Sequence, residues 1–235
     1  MHINFRGIVN RNKRKILHPD YIEESIRENL ALELLRPYLP EKYFPYTKSS
    51  LQFNSLWAIV NDLIVNKRKN YLEFGSGIST ILIAKFIKLN KLDIKITSID
   101  HDKKWIKIVK NYLINENINE VEFIHAPLKK CKLSLSNTMW YDSEIIKNVI
   151  KNRFFDIILI DGPLAYKKEN QFSRYPAVPF LQNNLNEKYN IFLDDTHRKG
   201  EQYIVKLWNK KFNTKFKKIS SYFSYSIQGE GYNFV

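Results

Sequence analysis

Tyr71-Leu72-Glu73-Phe74-Gly75-Ser76-Gly77-Ile78-Ser79-Thr80-Ile81-Leu82-Ile83-Ala84 begins as a short apolar run, passes through Gly-Ser-Gly, and resumes with apolar residues at helical spacing. That order predicts a strand, a tight turn and a helix. Glycines in such a turn let the backbone come close to a ligand. The helix that follows aims its free N–H groups back into the same space. The pattern is Glu-x-Gly-x-Gly, and Thr80 stands where a dinucleotide binder would carry its third glycine. Glu73, at the end of the strand, would repel a pyrophosphate but suits a ligand carrying an ammonium group.

Downstream, residues 94–100 alternate and are rich in β-branched side chains, which predicts a second strand. It closes in Asp100-His101-Asp102, with Trp105 in the helix that opens next. An acidic residue about 20 positions beyond a glycine turn is where a nucleoside-binding α/β fold holds ribose hydroxyls. A helix cap is the other reading of such an aspartate, and Asp102 can cap while Asp100 binds. Residues 121–124 predict a third strand, leading into His125-Ala126-Pro127-Leu128. The stretch 129–147 is less regular, with an aromatic centre at Trp140-Tyr141-Asp142. The fourth strand, 155–161, is almost continuously apolar, as in the middle of a parallel sheet, and ends in Asp161-Gly162-Pro163. A fifth, 189–193, ends in Asp194-Asp195, and a helix is expected near 201–208. Segments 216–222 and 225–235 give two more strands and a hairpin-like end.

Upstream, a helix is expected over 21–35, with Ile22, Ile26, Leu30 and Leu34 on one face and Leu32 and Leu35 off that stripe. Pro37, Pro40 and Pro45 end it, and a second helix spans about 50–65. Helices ahead of the first strand are expected to cover the ligand crevice. Residues 1–18 read as a polar, basic arm.

The 235 residues suffice for one large α/β core, and 44% hydrophobic with 14% aromatic residues excludes a disordered chain. No apolar run reaches the roughly 20 residues that cross a bilayer. The N-terminus lacks the apolar core of a signal peptide, and Cys131 is the single cysteine, so a cytoplasmic protein without an internal disulfide is expected. The net charge is +14. It raises the prospect of nucleic acid as a partner, but the lysines are dispersed, and the densest basic run is residues 11–15. A small-molecule or glycan partner is therefore favoured over nucleic acid.

Several phrases resemble one bacterial branch of the class I S-adenosyl-L-methionine (SAM) dependent methyltransferases. They are Leu72-Glu73-Phe74-Gly75-Ser76-Gly77-Ile78-Ser79-Thr80, Asp100-His101-Asp102 with Trp105, Asp161-Gly162-Pro163 followed by Arg174-Tyr175-Pro176-Ala177, and Leu193-Asp194-Asp195 with Arg198 and Glu201. Their joint occurrence in order is far more specific than any one phrase. The resemblance covers about residues 68–235. It implies a Rossmann-like, doubly wound, mostly parallel seven-stranded sheet with an antiparallel last strand, preceded by the arm and helices of residues 1–67. It also implies that Glu73, Gly75 and Gly77 line the methionine end of SAM, that Asp100 holds the ribose, and that Ala126 sits near adenine. Ser76, His101 and Asp161 complete the expected cofactor set. The amino-methyltransferase signature, Asn or Asp before Pro-Pro and an aromatic, is replaced by Asp161-Gly162-Pro163-Leu164, which favours oxygen acceptors. RNA methylation, or a binding module that keeps the fold without turnover, are the alternatives.

Asp161, Asp194 and Asp195 converge if the strand order is the usual one, and three carboxylates together suit Mg²⁺. The catechol and macrolide-sugar O-methyltransferases resemble this arrangement, although Pro163 stands where the latter place a further acidic residue. The alternative reading pairs Asp195 with Arg198 and leaves Asp194 as a helix cap. Asp161 is the candidate for acceptor chemistry, with His197 in reserve as a base. Arg174, with Tyr175 beside it, reads as a clamp on an acidic group of the acceptor or as a loop anchor paired with Glu201. The loop over 164–179 is long enough to form a lid.

Overall fold

A computed structural model describes residues 19–212 and 214–235. The basic arm and its run at residues 11–15 lie outside the described residues. Helices α1 (Pro19–Leu35) and α2 (Phe53–Val65) come first. Then β1 (Asn70–Phe74), α3 (Ile78–Leu89), β2 (Lys95–Asp100), α4 (Lys103–Asn115) and β3 (Val121–His125) alternate. A small hairpin of β4 (Leu128–Lys130) and β5 (Met139–Tyr141) precedes α5 (Ser143–Ile150) and β6 (Phe155–Ile160). The chain closes with α6 (Ala177–Leu181), β7 (Leu185–Leu193), α7 (Lys199–Lys211), β8 (Lys217–Lys218) and β9 (Ser224–Gln228).

The main sheet has seven strands in the order β3-β2-β1-β6-β7-β9-β8. From β3 to β7 all pairings are parallel, and β9 runs antiparallel to both β7 and β8. The expected doubly wound sheet with an antiparallel last strand is therefore present. Chain order reverses between β1 and β6, so connections leave their carboxyl ends in opposite directions and open a crevice there.

Both faces of β6 are buried because its side chains alternate between two cores. Ile157 and Leu159 join Leu56, Ile59 and Ile81 on one side, while Ile158 and Ile160 join Phe74, Trp140 and Trp208 on the other. Each such buried side chain contributes about 1.5–3 kcal/mol. That two-sided burial is what the unbroken apolar run encodes.

The orientation of α1 departs from the sequence expectation. Its stripe faces solvent: Ile22, Ile26, Leu30 and Leu34 are 44%, 61%, 49% and 49% exposed, and Ala31 and Leu35 are buried instead. Polar contacts set the rotation. The Glu28 carboxylate accepts the N–H groups of Phe53 and Asn54 at the start of α2, at 2.9 and 2.8 Å, and the Glu24 carboxylate accepts Ser221. An anion at a helix N-terminus satisfies donors that have no partner within the helix. The sixth and seventh strands are shorter than expected. Beyond β9 the chain instead turns back onto α2, where Asn61 donates to the Phe234 carbonyl and the Phe234 ring enters the core. Among the described residues no helix is long and apolar enough to cross a membrane.

Candidate active site at the carboxyl ends of the strands

Gly75 sits at φ +100°, in the region that favours glycine, and its N–H donates to the Ile99 carbonyl at 2.8 Å. Ser76 follows with its N–H on Asp100 Oδ2 at 2.8 Å and its hydroxyl 2.7 Å from that of Ser98. The N–H of Gly77 donates to the Thr80 hydroxyl at 2.9 Å, closing the first turn of α3. Thr80 in turn donates to Glu73, which also accepts the hydroxyls of Tyr71 and Ser79, each at 3.0 Å. Glu73 is fully buried beneath the turn. Burial pushes its carboxyl up to about 6, against the pull of these hydroxyls.

Above the turn lies a cavity of about 290 Å³, near the lower end of the roughly 300–1,000 Å³ range of small-molecule sites. Gly75, Ser76 and Gly77 line it from β1, Asp100 and His101 from the end of β2, and Asp161 with Gly162 from the end of β6. Glu73 and Ala126 do not line it. Glu73 lies below, and Ala126 is buried with its N–H on the Asp100 carbonyl. Asp100 faces the cavity while its Oδ1 accepts the Asp102 N–H at 2.8 Å. His101 Nδ1 approaches the same oxygen at 3.3 Å without hydrogen-bond geometry. Asp102 caps α4 through Lys104 N and Trp105 N. Both roles expected of the two aspartates are thus compatible with their positions. The cover is the loop between α1 and α2, not the helices: Phe44, Thr47 and Leu51 line the cavity from above. Phe44 leans on Trp105, whose Nε1 donates to the Ser76 carbonyl at 2.7 Å.

Tyr141 was visible in the sequence only as part of an aromatic cluster. It lines the cavity from β5, is 1% exposed, and its ring lies 5.7 Å from that of Phe74. Its buried hydroxyl has no hydrogen-bond partner. Burial, reinforced by the charge of Asp100, holds its pKa well above the usual value, so the hydroxyl stays protonated and able to donate.

Asp161, Asp194 and Asp195 do converge, with carboxylate oxygens within 4.8 Å of one another. Arg174 comes with them. Its Nη2 is 3.0 Å from Asp195 Oδ2 and 3.3 Å from Asp161 Oδ1, and its Nη1 is 3.9 Å from Glu201 Oε1. It also donates to the carbonyls of Pro163, Asp194 and Asp161 at 3.2, 3.1 and 2.9 Å. The loop-anchor reading of Arg174 therefore matches its position. It is 2% exposed and does not line the cavity. Burial and mutual repulsion raise the Asp161 carboxyl well above the ordinary range, and Asp194 to about 6. Burial pushes Glu201 up to about 7.

Two further expectations land away from the cavity. Tyr175 is in the core, stacked on Trp208, whose Nε1 donates to the Tyr175 carbonyl. His197 is exposed, with its ring 4.6 Å from that of Tyr222, and burial of part of the ring lowers its pKa below 6.5. The loop after β6 divides in two. Leu164 lines the cavity and Tyr166 is 60% exposed, whereas residues 173–178 are buried and pinned, so only the first part is free to cover a ligand.

No family model and no curated protein matches the chain. Solved structures do. A methyltransferase of Podospora anserina bound to S-adenosylhomocysteine (SAH) matches with a TM-score of 0.59 at 15% identity, over 98% of each chain. An O-methyltransferase of Bacillus cereus in complex with SAH gives 0.53 at 17%, over 94% of this chain and 97% of that one. The O-methyltransferase TomG of Streptomyces achromogenes, involved in tomaymycin synthesis and solved with SAM, gives 0.56 at 10%, over 97% and 100%. With its strand order and its glycine turn, the chain has the Rossmann-like α/β fold of the SAM-dependent methyltransferases to which it is similar.

Proposed function

We propose that this chain is a SAM-dependent methyltransferase whose acceptor is a hydroxyl on a small molecule or glycan. The observation that carries this reading is the cavity bounded by the Gly75-Ser76-Gly77 turn, Asp100 and Asp161-Gly162. The residues fit the cofactor on three counts. A Cβ on Gly77 would meet nothing within 4 Å, so that edge is open. The Tyr141 hydroxyl is an orphaned donor at the cavity wall. A buried carboxylate, Glu73, underlies the turn. The solved structures with SAM or SAH bound add to this.

When bound, SAM supplies an electrophilic methyl group on a sulfonium. The N-terminus of α3 and the turn would hold its amino-acid end, where the field of the buried Glu73 would favour an ammonium. Asp100 keeps spare lone pairs for ribose hydroxyls after accepting its two backbone N–H groups. The unpartnered Tyr141 hydroxyl at the cavity wall would be free to donate to the ligand. Phe44, Thr47 and Leu51 would shield a bound ligand from water on the side of the loop between α1 and α2. The acceptor hydroxyl would enter past Leu164 and meet Asp161, the one carboxyl of the strand-end cluster that lines the cavity, and the raised pKa of that group makes it the stronger base for the acceptor's proton when it is ionised. Alignment for an in-line displacement is the chain's main contribution.

Calorimetric titration with SAM is the direct test. Micromolar binding is expected, with Asp100→Ala weaker by at least about tenfold. Unchanged affinity in that variant would remove Asp100 from the site. A second substitution has opposite signs in its two readouts. Tyr141→Phe removes a buried donor that lacks a partner, so the ligand-free protein should gain about 1 kcal/mol, while SAM affinity falls about fivefold. Loss of stability together with wild-type affinity would place the hydroxyl outside the ligand contacts.

A further inference from the structure

The three aspartates sit where a divalent ion would be expected, but a cation, the Arg174 guanidinium, already lies against two of them. Both oxygens of Asp195 are engaged, Oδ2 by Arg174 Nη2 at 3.0 Å and Oδ1 by Arg198 Nη2 at 2.8 Å. Asp161 Oδ1 faces Arg174 at 3.3 Å. Mg²⁺ requires oxygens at about 2.0–2.1 Å in near-octahedral geometry and keeps several waters. An ion bound by Asp161 and Asp195 would displace the guanidinium or stand beside it, and two cations at about 4 Å in a buried site repel strongly. Arg174 has nowhere to retreat. It is 2% exposed, and three main-chain carbonyls hold it from both strand ends, Asp161 and Pro163 after β6 and Asp194 after β7.

We infer that Arg174 is a built-in cation standing in the place of the divalent metal, so that this site works without one. A planar guanidinium supplies five donors in a fixed fork. Here that fork ties the ends of β6 and β7 together and holds the Asp161 carboxylate in place at the cavity wall. Arg174 is thus a positioning residue that acts through Asp161. Only this catalytic half rests on the methyltransferase reading. The exclusion of metal concerns the carboxylate cluster alone.

The experiment follows Mn²⁺ by electron paramagnetic resonance as protein is added, and needs no turnover. Wild type is expected to leave Mn²⁺ free at millimolar protein. Arg174→Met keeps apolar volume but removes the charge, and should bind Mn²⁺ at least about tenfold more tightly than wild type. Stoichiometric micromolar binding by wild type would overturn the inference. So would a folded Arg174→Met that binds no more Mn²⁺ than wild type. Should that variant fail to fold, the wild-type titration decides by itself. The positioning role is read from Arg174→Lys with SAM and a working acceptor. The KM for SAM should stay within about twofold while kcat falls at least about tenfold, since a point charge does not reproduce the fork. Equal losses in both constants would assign Arg174 to general folding. In wild type EDTA should leave turnover unchanged, and loss restored by Mg²⁺ would overturn the inference. Failure to bind SAM with Mn²⁺ still excluded would end the methyltransferase reading and leave the metal conclusion intact.

Discussion

Gly162→Ala is expected to weaken SAM binding by at least about 100-fold and to cost the ligand-free protein about 1–3 kcal/mol, an overpacking penalty. The cause is space. A Cβ at position 162 would lie 2.2 Å from the Tyr141 hydroxyl and 3.1 Å from both Cα and N of Gly75. Gly75 has no side chain to move and occupies a backbone angle that glycine alone adopts readily. Tyr141 cannot swing aside, because its ring is 1% exposed among Phe74, Trp140 and His101. The added methyl therefore drives apart the turns after β1 and β6, and the crevice between them is the cavity itself. Thermal melts and SAM calorimetry read the two effects. Gly77→Ala is the control, since a Cβ there meets nothing within 4 Å, and stability should stay within about 0.5 kcal/mol. Adding Tyr141→Phe to Gly162→Ala removes the 2.2 Å contact and should recover part of the lost stability, a coupling that independent sites would not show. Wild-type SAM affinity in Gly162→Ala would sink the placement of the ligand between the two turns.

What could be read from the sequence follows from the range of the forces involved. The strand, turn and helix around residues 70–89 and the buried strand 155–160 were legible because local spacing encodes which faces are covered. Asp102 was legible as a cap for the same reason, since its partners Lys104 and Trp105 are next door. The rotation of α1 was not. Its longest apolar stripe loses to Glu24 and Glu28, whose partners are Ser221, Phe53 and Asn54. The β4–β5 hairpin was missed because strands of three residues carry too little periodicity to register. Hence Tyr141, which that hairpin delivers to the cavity, could not be assigned. Arg174 had two readings in the sequence, and only the fold brings it between residues 161 and 195. Tyr175 and His197 illustrate the converse. Each lies beside an informative motif, yet the backbone turns one into the core and the other toward solvent.

The SAM affinity of the wild-type chain is expected to rise as pH increases through about 6, and Glu73→Gln should flatten that dependence while weakening binding about tenfold at pH 8. Burial holds the ligand-free carboxyl at about 6 instead of the ordinary 4.5. Above pH 6 the group is an anion below the glycine turn, and an ammonium bound there neutralises it. Below pH 5 it is protonated and the attraction is gone. Stability carries the opposite sign. The folded chain binds more protons at Glu73 than the unfolded chain between pH 4.5 and 6. This group's contribution therefore declines as pH rises through that window, by about 2 kcal/mol, because a tenfold change in proton affinity is worth about 1.4 kcal/mol. Glutamine keeps the shape and one carbonyl acceptor, and its amide can donate to a hydroxyl of Tyr71, Ser79 or Thr80 in place of accepting from it. The variant should then be more stable than wild type at pH 8 and lose that advantage at pH 4.5. Asp194 and Glu201 also titrate near this range, so the informative quantity is the difference between wild type and variant melted at each pH. Parallel curves for the two proteins would mean that Glu73 keeps its ordinary acidity and that the turn draws no attraction for a cation from it.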